Sequence, residues 1–166
     1  MDLHTARPGN ELEVARVHVA SWREAYAGLL PASYLDGLEP ASRAANYTFG
    51  TDDPVTVLAV DEDRTCGFAT TGAARDDDVV GCGELMALYV DPAWLGRGVG
   101  RTLMADARVR LGARRFAEAL LWVLVGNERA MRFYERDGWR SDGSQRRERV
   151  HGVMVEEVRY RRRLDV

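Results

Sequence analysis

An apolar stretch over residues 83–90, Gly-Glu-Leu-Met-Ala-Leu-Tyr-Val, runs through Asp91-Pro92 into the turn Leu95-Gly96-Arg97-Gly98-Val99-Gly100-Arg101. From Val99 the apolar residues recur at Leu103, Ala107 and Leu111, the spacing of one helix face, which predicts a helix over 99–112. A strand that feeds a helix through a glycine-rich turn belongs to layered α/β folds. It also aims several backbone N–H groups at one point, with the positive end of the helix behind them, and adjacent phosphates sit well there. The strand is apolar on both faces except for Glu84, the pattern of a central strand covered on both sides.

The rest of the chain supplies partners for this unit. Strands are expected over 3–6, 55–60, 65–74, 119–125, 139–142 and 150–161. The runs at 55–60 and 65–74 form a hairpin across Asp61-Glu62-Asp63-Arg64. Leu12, Ala15, Val19, Trp22 and Tyr26 recur at helical spacing, so 11–27 reads as a helix, opened by Asn10 and Glu13 in a capping-box arrangement. Pro31 suits the first turn of a short helix to Leu38, and a third helical piece spans 41–49. Asn127 is a good N-cap for a helix to Asp137, with Gly138 as its stop. The Asp76-Asp77-Asp78 triplet and the arginine-rich segment around Arg140, Arg146, Arg147 and Arg149 read as solvated loops; the latter is otherwise a contact for an acidic acceptor. There is no repeat, linker or low-complexity tract, and residues 1–166 are expected to form one domain.

Composition narrows the function classes. A net charge of −3 argues against nucleic acid as a partner. All 23 basic residues are arginine, as biased base composition produces. No apolar run approaches the ~20 residues of a membrane span, and Met1-Asp2-Leu3-His4-Thr5 lacks the pattern of a signal peptide, so a cytoplasmic location is expected. Cys66 and Cys82 fit no zinc or redox spacing and read as buried hydrophobes. His4, His18 and His151 are scattered, and no metal site is expected.

About thirty residues beyond the glycine turn lies Asn127-x-x-Ala130-x-x-Phe133-Tyr134-x-x-x-Gly138-Trp139. Together the two segments, residues 84–139, resemble the GCN5-related N-acetyltransferase (GNAT) superfamily. The resemblance extends in element order over nearly the whole chain. It implies a mixed α/β fold: a central mixed, twisted sheet of about six to seven strands, flanked by helices and splayed between the fourth and fifth strands. It implies acetyl-CoA as acyl donor and a small-molecule or peptide amine as acceptor, with a homodimer common among members. The family's turn carries Gln or Arg where this chain has Leu95; the backbone donors are untouched by that departure.

Residue by residue, the resemblance assigns Gly96, Arg97, Gly98, Val99, Gly100 and Arg101 to the pyrophosphate, the arginines adding charge-assisted bonds. The backbone of Leu88, Tyr89 and Val90 would bond pantetheine and the acetyl carbonyl, Asn127 the pantetheine arm, and Tyr134 the CoA sulfur. Glu84 would take the proton from the attacking ammonium; a strand-end glutamate paired with an arginine is the plain alternative. Trp22, Tyr26 and Tyr34 would wall the acceptor pocket, although core packing explains them equally well. The implied activity is acetyl transfer from acetyl-CoA to a primary amine by direct attack in a ternary complex. A non-catalytic acyl-CoA sensor needs the same binding motifs. A dinucleotide-binding fold needs Gly-x-Gly-x-x-Gly, whereas this chain has Gly96-x-Gly98-x-Gly100.

Overall fold

A computed structural model describes residues 1–164. Its strands are β1 (Asp2–Thr5), β2 (Val55–Asp61), β3 (Arg64–Ala73), β4 (Gly83–Val90), β5 (Glu118–Leu124), β6 (Arg140–Val150) and β7 (Val153–Arg163). Its helices are α1 (Glu11–Ala25), α2 (Ala32–Asp36), α3 (Pro40–Ala44), α4 (Val99–Ala113) and α5 (Glu128–Arg136), with one 3₁₀ turn at Pro92–Trp94. The seven strands form one mixed sheet in the order β1-β2-β3-β4-β5-β7-β6. Only β4 and β5 pair in parallel; every other neighbour is antiparallel.

Period-2 alternation decides which side chains meet which helix. Val57 and Ala59 on β2 pack with Val99, Leu103, Met104, Ala107 and Leu111 of α4. Leu58, between them, joins Phe68 with Val14 and Val17 of α1 on the other face. The sheet is therefore covered on both sides, and β4 is central, as its apolar composition requires.

Two features of β4 open the sheet. Thr70 pairs with Ala87 but Thr71 pairs with Leu85, so Met86 is an extra residue that bends the strand. Beyond that end β4 and β5 part: their ladder is confined to Gly83 with Ala119 and Glu84 with Leu120. From Leu85 to Val90 the edge of β4 that faces β5 has no strand partner among the described residues, which is the splay expected from the family resemblance.

Three local expectations are corrected. The arginine-rich segment is not a loop: β6 and β7 form a long hairpin that turns at His151 and Gly152, both at positive φ. The segment hides its strand character because β6 is charged on both faces, with Arg146 opposite Glu157 and Arg147 opposite Glu156. The aspartate triplet is not simply solvated: Asp76 and Asp78 both accept hydrogen bonds from Arg159. The capping box does not form either. Asn10 accepts from the Arg7 N–H, and Glu13 from the Thr65 hydroxyl. Cys66 and Cys82 are free and buried. Among the described residues no helix is long and apolar enough to cross a membrane.

Candidate active site

The glycine turn takes its shape from backbone conformations that only glycine adopts without strain. Gly96 and Gly98 have φ of +76° and +85°, and Gly98 is the N-cap of α4. A Cβ at either would meet no protein atom within 4 Å, so the space above them is open. Gly100 differs: it is helical, and a Cβ there would touch the Phe133 ring at 3.5 Å, an ordinary contact. Among the described residues, the N–H groups of Gly96, Gly98, Val99, Gly100 and Arg101 have no protein acceptor, while Arg97 N–H bonds Trp94 O. Five free amide donors at the positive end of a fifteen-residue helix fit a pyrophosphate. Leu95, the departure from the family pattern, leaves this donor set complete.

The turn opens into a cleft of about 1270 Å³ that follows the gap between β4 and β5. Of the residues singled out by sequence, Glu84, Leu88, Tyr89, Val90, Gly96, Gly98, Val99, Gly100, Arg101, Asn127, Tyr134, Trp22 and Tyr26 all line it. Two do not. Arg97 is exposed and lies over the Trp94 ring at 4.9 Å. Tyr34 donates its hydroxyl hydrogen bond to His151 O at 2.8 Å, tying α2 to the β6–β7 turn.

Asn127 caps α5 through Oδ1, which accepts from the Ala130 N–H at 3.3 Å, and its Nδ2 remains available to the cleft. Tyr134 is half-buried on α5, packed edge-on against Phe133 at 5.5 Å. Its hydroxyl has no partner among the described residues, and burial raises its pKa, so it stays a protonated donor. Burial likewise raises the phenols of Tyr26 and Tyr89.

Glu84 is 2% exposed, and its carboxylate is gripped by one residue. Arg75, in the β3–β4 connection, donates from Nη2 to Oε1 at 2.8 Å, and from Nε and its backbone N–H to Oε2 at 3.1 and 3.2 Å. This pair raises the pKa of Arg75 further. Both reading alternatives for Glu84 thus meet in one place: it lines the cleft, and it is paired with an arginine. A second carboxylate also lines the cleft. Glu157 accepts from Arg146 Nε at 3.0 Å, and burial nevertheless lifts its pKa above the usual carboxylate range.

Sequence reading missed the residues that complete the cleft. Arg75 and Asp76 lie in a segment read as loop. His18 and His151, 133 positions apart, bring their rings to 5.0 Å. One signal was present: His18 precedes Trp22 by four residues, so both occupy one face of α1. His18 also stacks on Tyr89 at 5.0 Å and 13°, and Trp22 meets Tyr26 edge-on at 4.9 Å. Together these rings wall the end of the cleft next to β4.

A parallel strand pair splayed over a helix N-terminus with free amides defines an α/β protein whose ligand lies between two strands. Residues 19–139 match the profile of the Acetyltransferase (GNAT) family, and the chain belongs to it. It is 30% identical, over 115 residues, to the uncharacterized N-acetyltransferase YuaI of Bacillus subtilis, covering 69% of this chain and 66% of that protein. It is also 30% identical, over 138 residues, to the mycothiol acetyltransferase of Mycobacteroides abscessus, covering 82% of this chain and 44% of that one. The chain thus spans about half to two thirds of the length of these relatives. Among solved structures, the PaiA N-acetyltransferase of Thermoplasma acidophilum in complex with coenzyme A superposes with a TM-score of 0.68. That match has 18% identity and covers 98% of this chain and 99% of that one, which establishes the shared fold.

Proposed function

We propose that the protein transfers the acetyl group of acetyl-CoA to a primary amine by direct attack in a ternary complex. One observation carries this: the unpaired β4 edge, the acceptor-free amides of Gly96 and of Gly98 to Arg101, and the unengaged Tyr134 hydroxyl all face one cleft. The Thermoplasma neighbour binds coenzyme A, and the relatives are named as acetyltransferases, which supports the same donor here.

In this reading the amides of Gly96 and Gly98–Arg101 hold the pyrophosphate, and Asn127 Nδ2 meets the pantetheine arm. The free edge at Leu88, Tyr89 and Val90 bonds the pantetheine amides and the acetyl carbonyl. One N–H facing the developing oxyanion contributes ~3 kcal/mol to the transition state. Glu84 takes a proton from the acceptor ammonium through water. The neutral amine then attacks the carbonyl carbon: the C–N bond forms, the C–S bond breaks, and the surplus amine proton leaves to solvent. Tyr134 gives its proton to the departing thiolate and regains one from solvent before the next turnover. Trp22 and Tyr26 wall the acceptor, and Tyr34 holds the β6–β7 turn against them.

The test is acetyl-CoA binding by calorimetry, with wild type and Gly98→Trp, followed by thiol release on a panel of amines. Saturable binding that Gly98→Trp abolishes, with thiol release on at least one amine, is the expected result. Binding without release on any amine would make the protein an acyl-CoA sensor. Absence of binding to wild type would overturn both readings.

A further inference from the structure

Between α1 and α3 lies Arg43, an arginine mostly covered by the fold whose guanidinium opens onto a pocket and meets no counter-charge among the described residues. Arg43 is 8% exposed, and among the described residues it has neither a carboxylate within ion-pair distance nor a hydrogen-bond acceptor. Its side-chain contact is the face of Trp22, with Cζ 6.0 Å from the ring centroid. Arg23, nearby, shows the contrast: its guanidinium donates to Leu35 O at 3.0 Å and Leu38 O at 2.6 Å, so it serves the fold. A guanidinium that faces a recess without a counter-ion keeps its donors free for an anion.

A second unmet group lies beside Trp22. His18 is 3% exposed; its Nδ1 bonds the Tyr47 hydroxyl, and its Nε2 is buried with no partner. Burial, with Arg43 and His151 adding to it, holds the His18 pKa down to about 2, so the imidazole is neutral. A pocket of about 540 Å³ opens beside Arg43, lined also by Ser42, Asn46 and His151, with Glu39 at its edge. Asn46 and His151 line the main cleft as well, so the two spaces share a wall. Trp22, which carries Arg43 on one side, lies 6.4 Å from the Tyr89 ring on β4. Trp22 thus links the two, its ring 6.0 Å from Arg43 Cζ and 6.4 Å from the Tyr89 ring. The other charged groups on this end of the cleft are Glu148 and Arg149 from β6 and Glu24 from α1.

We propose that Arg43 anchors an oxyanion on the acceptor, so that the acceptor is an amine that also carries a carboxylate or a phosphate. The inference rests on the acetyltransferase reading, and it names the acceptor class for that site. The guanidinium fork pairs with either oxyanion in two parallel hydrogen bonds. The side chains of Ser42, Asn46 and His151, which line the pocket, meet the remainder of the group, and the amine end reaches past Trp22 toward Tyr89.

Product analogues test this without turnover. N-acetylglycine, N-acetyldiglycine, N-acetylphosphoethanolamine and the C-terminal amides of the first two are titrated by calorimetry onto the CoA-loaded protein, and again onto the protein alone. At least one acid is expected to bind about tenfold more tightly than its neutral counterpart. Arg43→Gln removes that preference and Arg43→Lys restores part of it, while both variants keep wild-type CoA affinity, which shows that they fold. The order of the acids distinguishes carboxylate from phosphate. Amides that bind as tightly as the acids, a preference that survives Arg43→Gln, or no binding by any analogue would each overturn the proposal. Failure to bind CoA would overturn the acetyltransferase reading instead, and the titration without CoA would still report the anion site.

Discussion

Arg75 holds Glu84 from the outside: its side chain is 64% exposed, whereas that of Glu84 is 2% exposed, and Arg75 Nη2 reaches Glu84 Oε1 at 2.8 Å. The buried carboxylate thus depends on a cation that solvent and ligands can reach. Removing Arg75 leaves a charge in the sheet without a counter-ion, which costs ~1–3 kcal/mol. Arg75→Ala is expected to lower the denaturation midpoint by that amount, and Glu84→Gln in the same background to recover most of it. Equal losses in the single and double variants would show that the pair contributes nothing to the fold.

Glu84→Gln alone tests the proton-acceptor role. Loss of a positioned general base lowers kcat by ~10²-fold or more. The loss should shrink at high pH, where more of the acceptor amine is already neutral. A rate deficit that stays constant from pH 7 to about 10 would assign Glu84 to structure only.

Tyr134→Phe removes the proposed donor to the thiolate while keeping the ring against Phe133. It should reduce kcat by ~10²-fold with little change in KM for acetyl-CoA, since the phenol acts as the C–S bond breaks. Burial raises the pKa of Tyr134, so the donor outlasts the ordinary tyrosine titration near pH 10. The wild-type rate should therefore show no descending limb from this group up to about pH 10. Unchanged kcat in Tyr134→Phe would remove the residue from the mechanism.

His18 makes the fold sensitive to acid. Its folded pKa is pulled down to about 2 by burial, while an unfolded imidazole titrates near 6.5. Between those values the unfolded chain binds the extra proton, so stability falls as pH drops below about 6.5. Thermal melts at pH 7 and pH 5 should show a smaller loss in His18→Gln than in wild type. The same loss in both would place the acid sensitivity elsewhere.

Arg159 is 5% exposed and binds Asp76, Asp78 and Asp142 at 2.7–2.8 Å. Through Asp76 it ties the β3–β4 connection, and with it Arg75, to β7. Arg159→Met removes the main partner of the Asp76 carboxylate, which is 10% exposed and keeps the Trp122 indole N–H at 3.1 Å and Arg146 at 4.0 Å, and should cost ~1–3 kcal/mol in urea denaturation. It should also increase backbone hydrogen exchange around Arg75. A loss confined to global stability, with exchange near Arg75 unchanged, would separate this clasp from the site.

What could be read from the chain itself was local. The apolar run of β4, the positive-φ glycines at 96 and 98 and the Asn127 cap are properties of neighbouring residues, and period and turn chemistry expose them directly. The strand character of β6 was hidden because its stabilising partners, Glu156 and Glu157, lie across the hairpin, so no hydrophobic period marks it.

The sequence by itself determined the strand–turn–helix unit, the family resemblance and part of the cleft lining, but not Arg75, Asp76, His18 or His151. Only the tertiary structure decided what each polar group meets. Arg159 finds Asp76 across 83 positions, His18 finds His151 across 133, and Arg43 finds no counter-charge among the described residues. Such pairings depend on how far the sheet twists and which helix lies over which strand, and both are set by packing of the whole core.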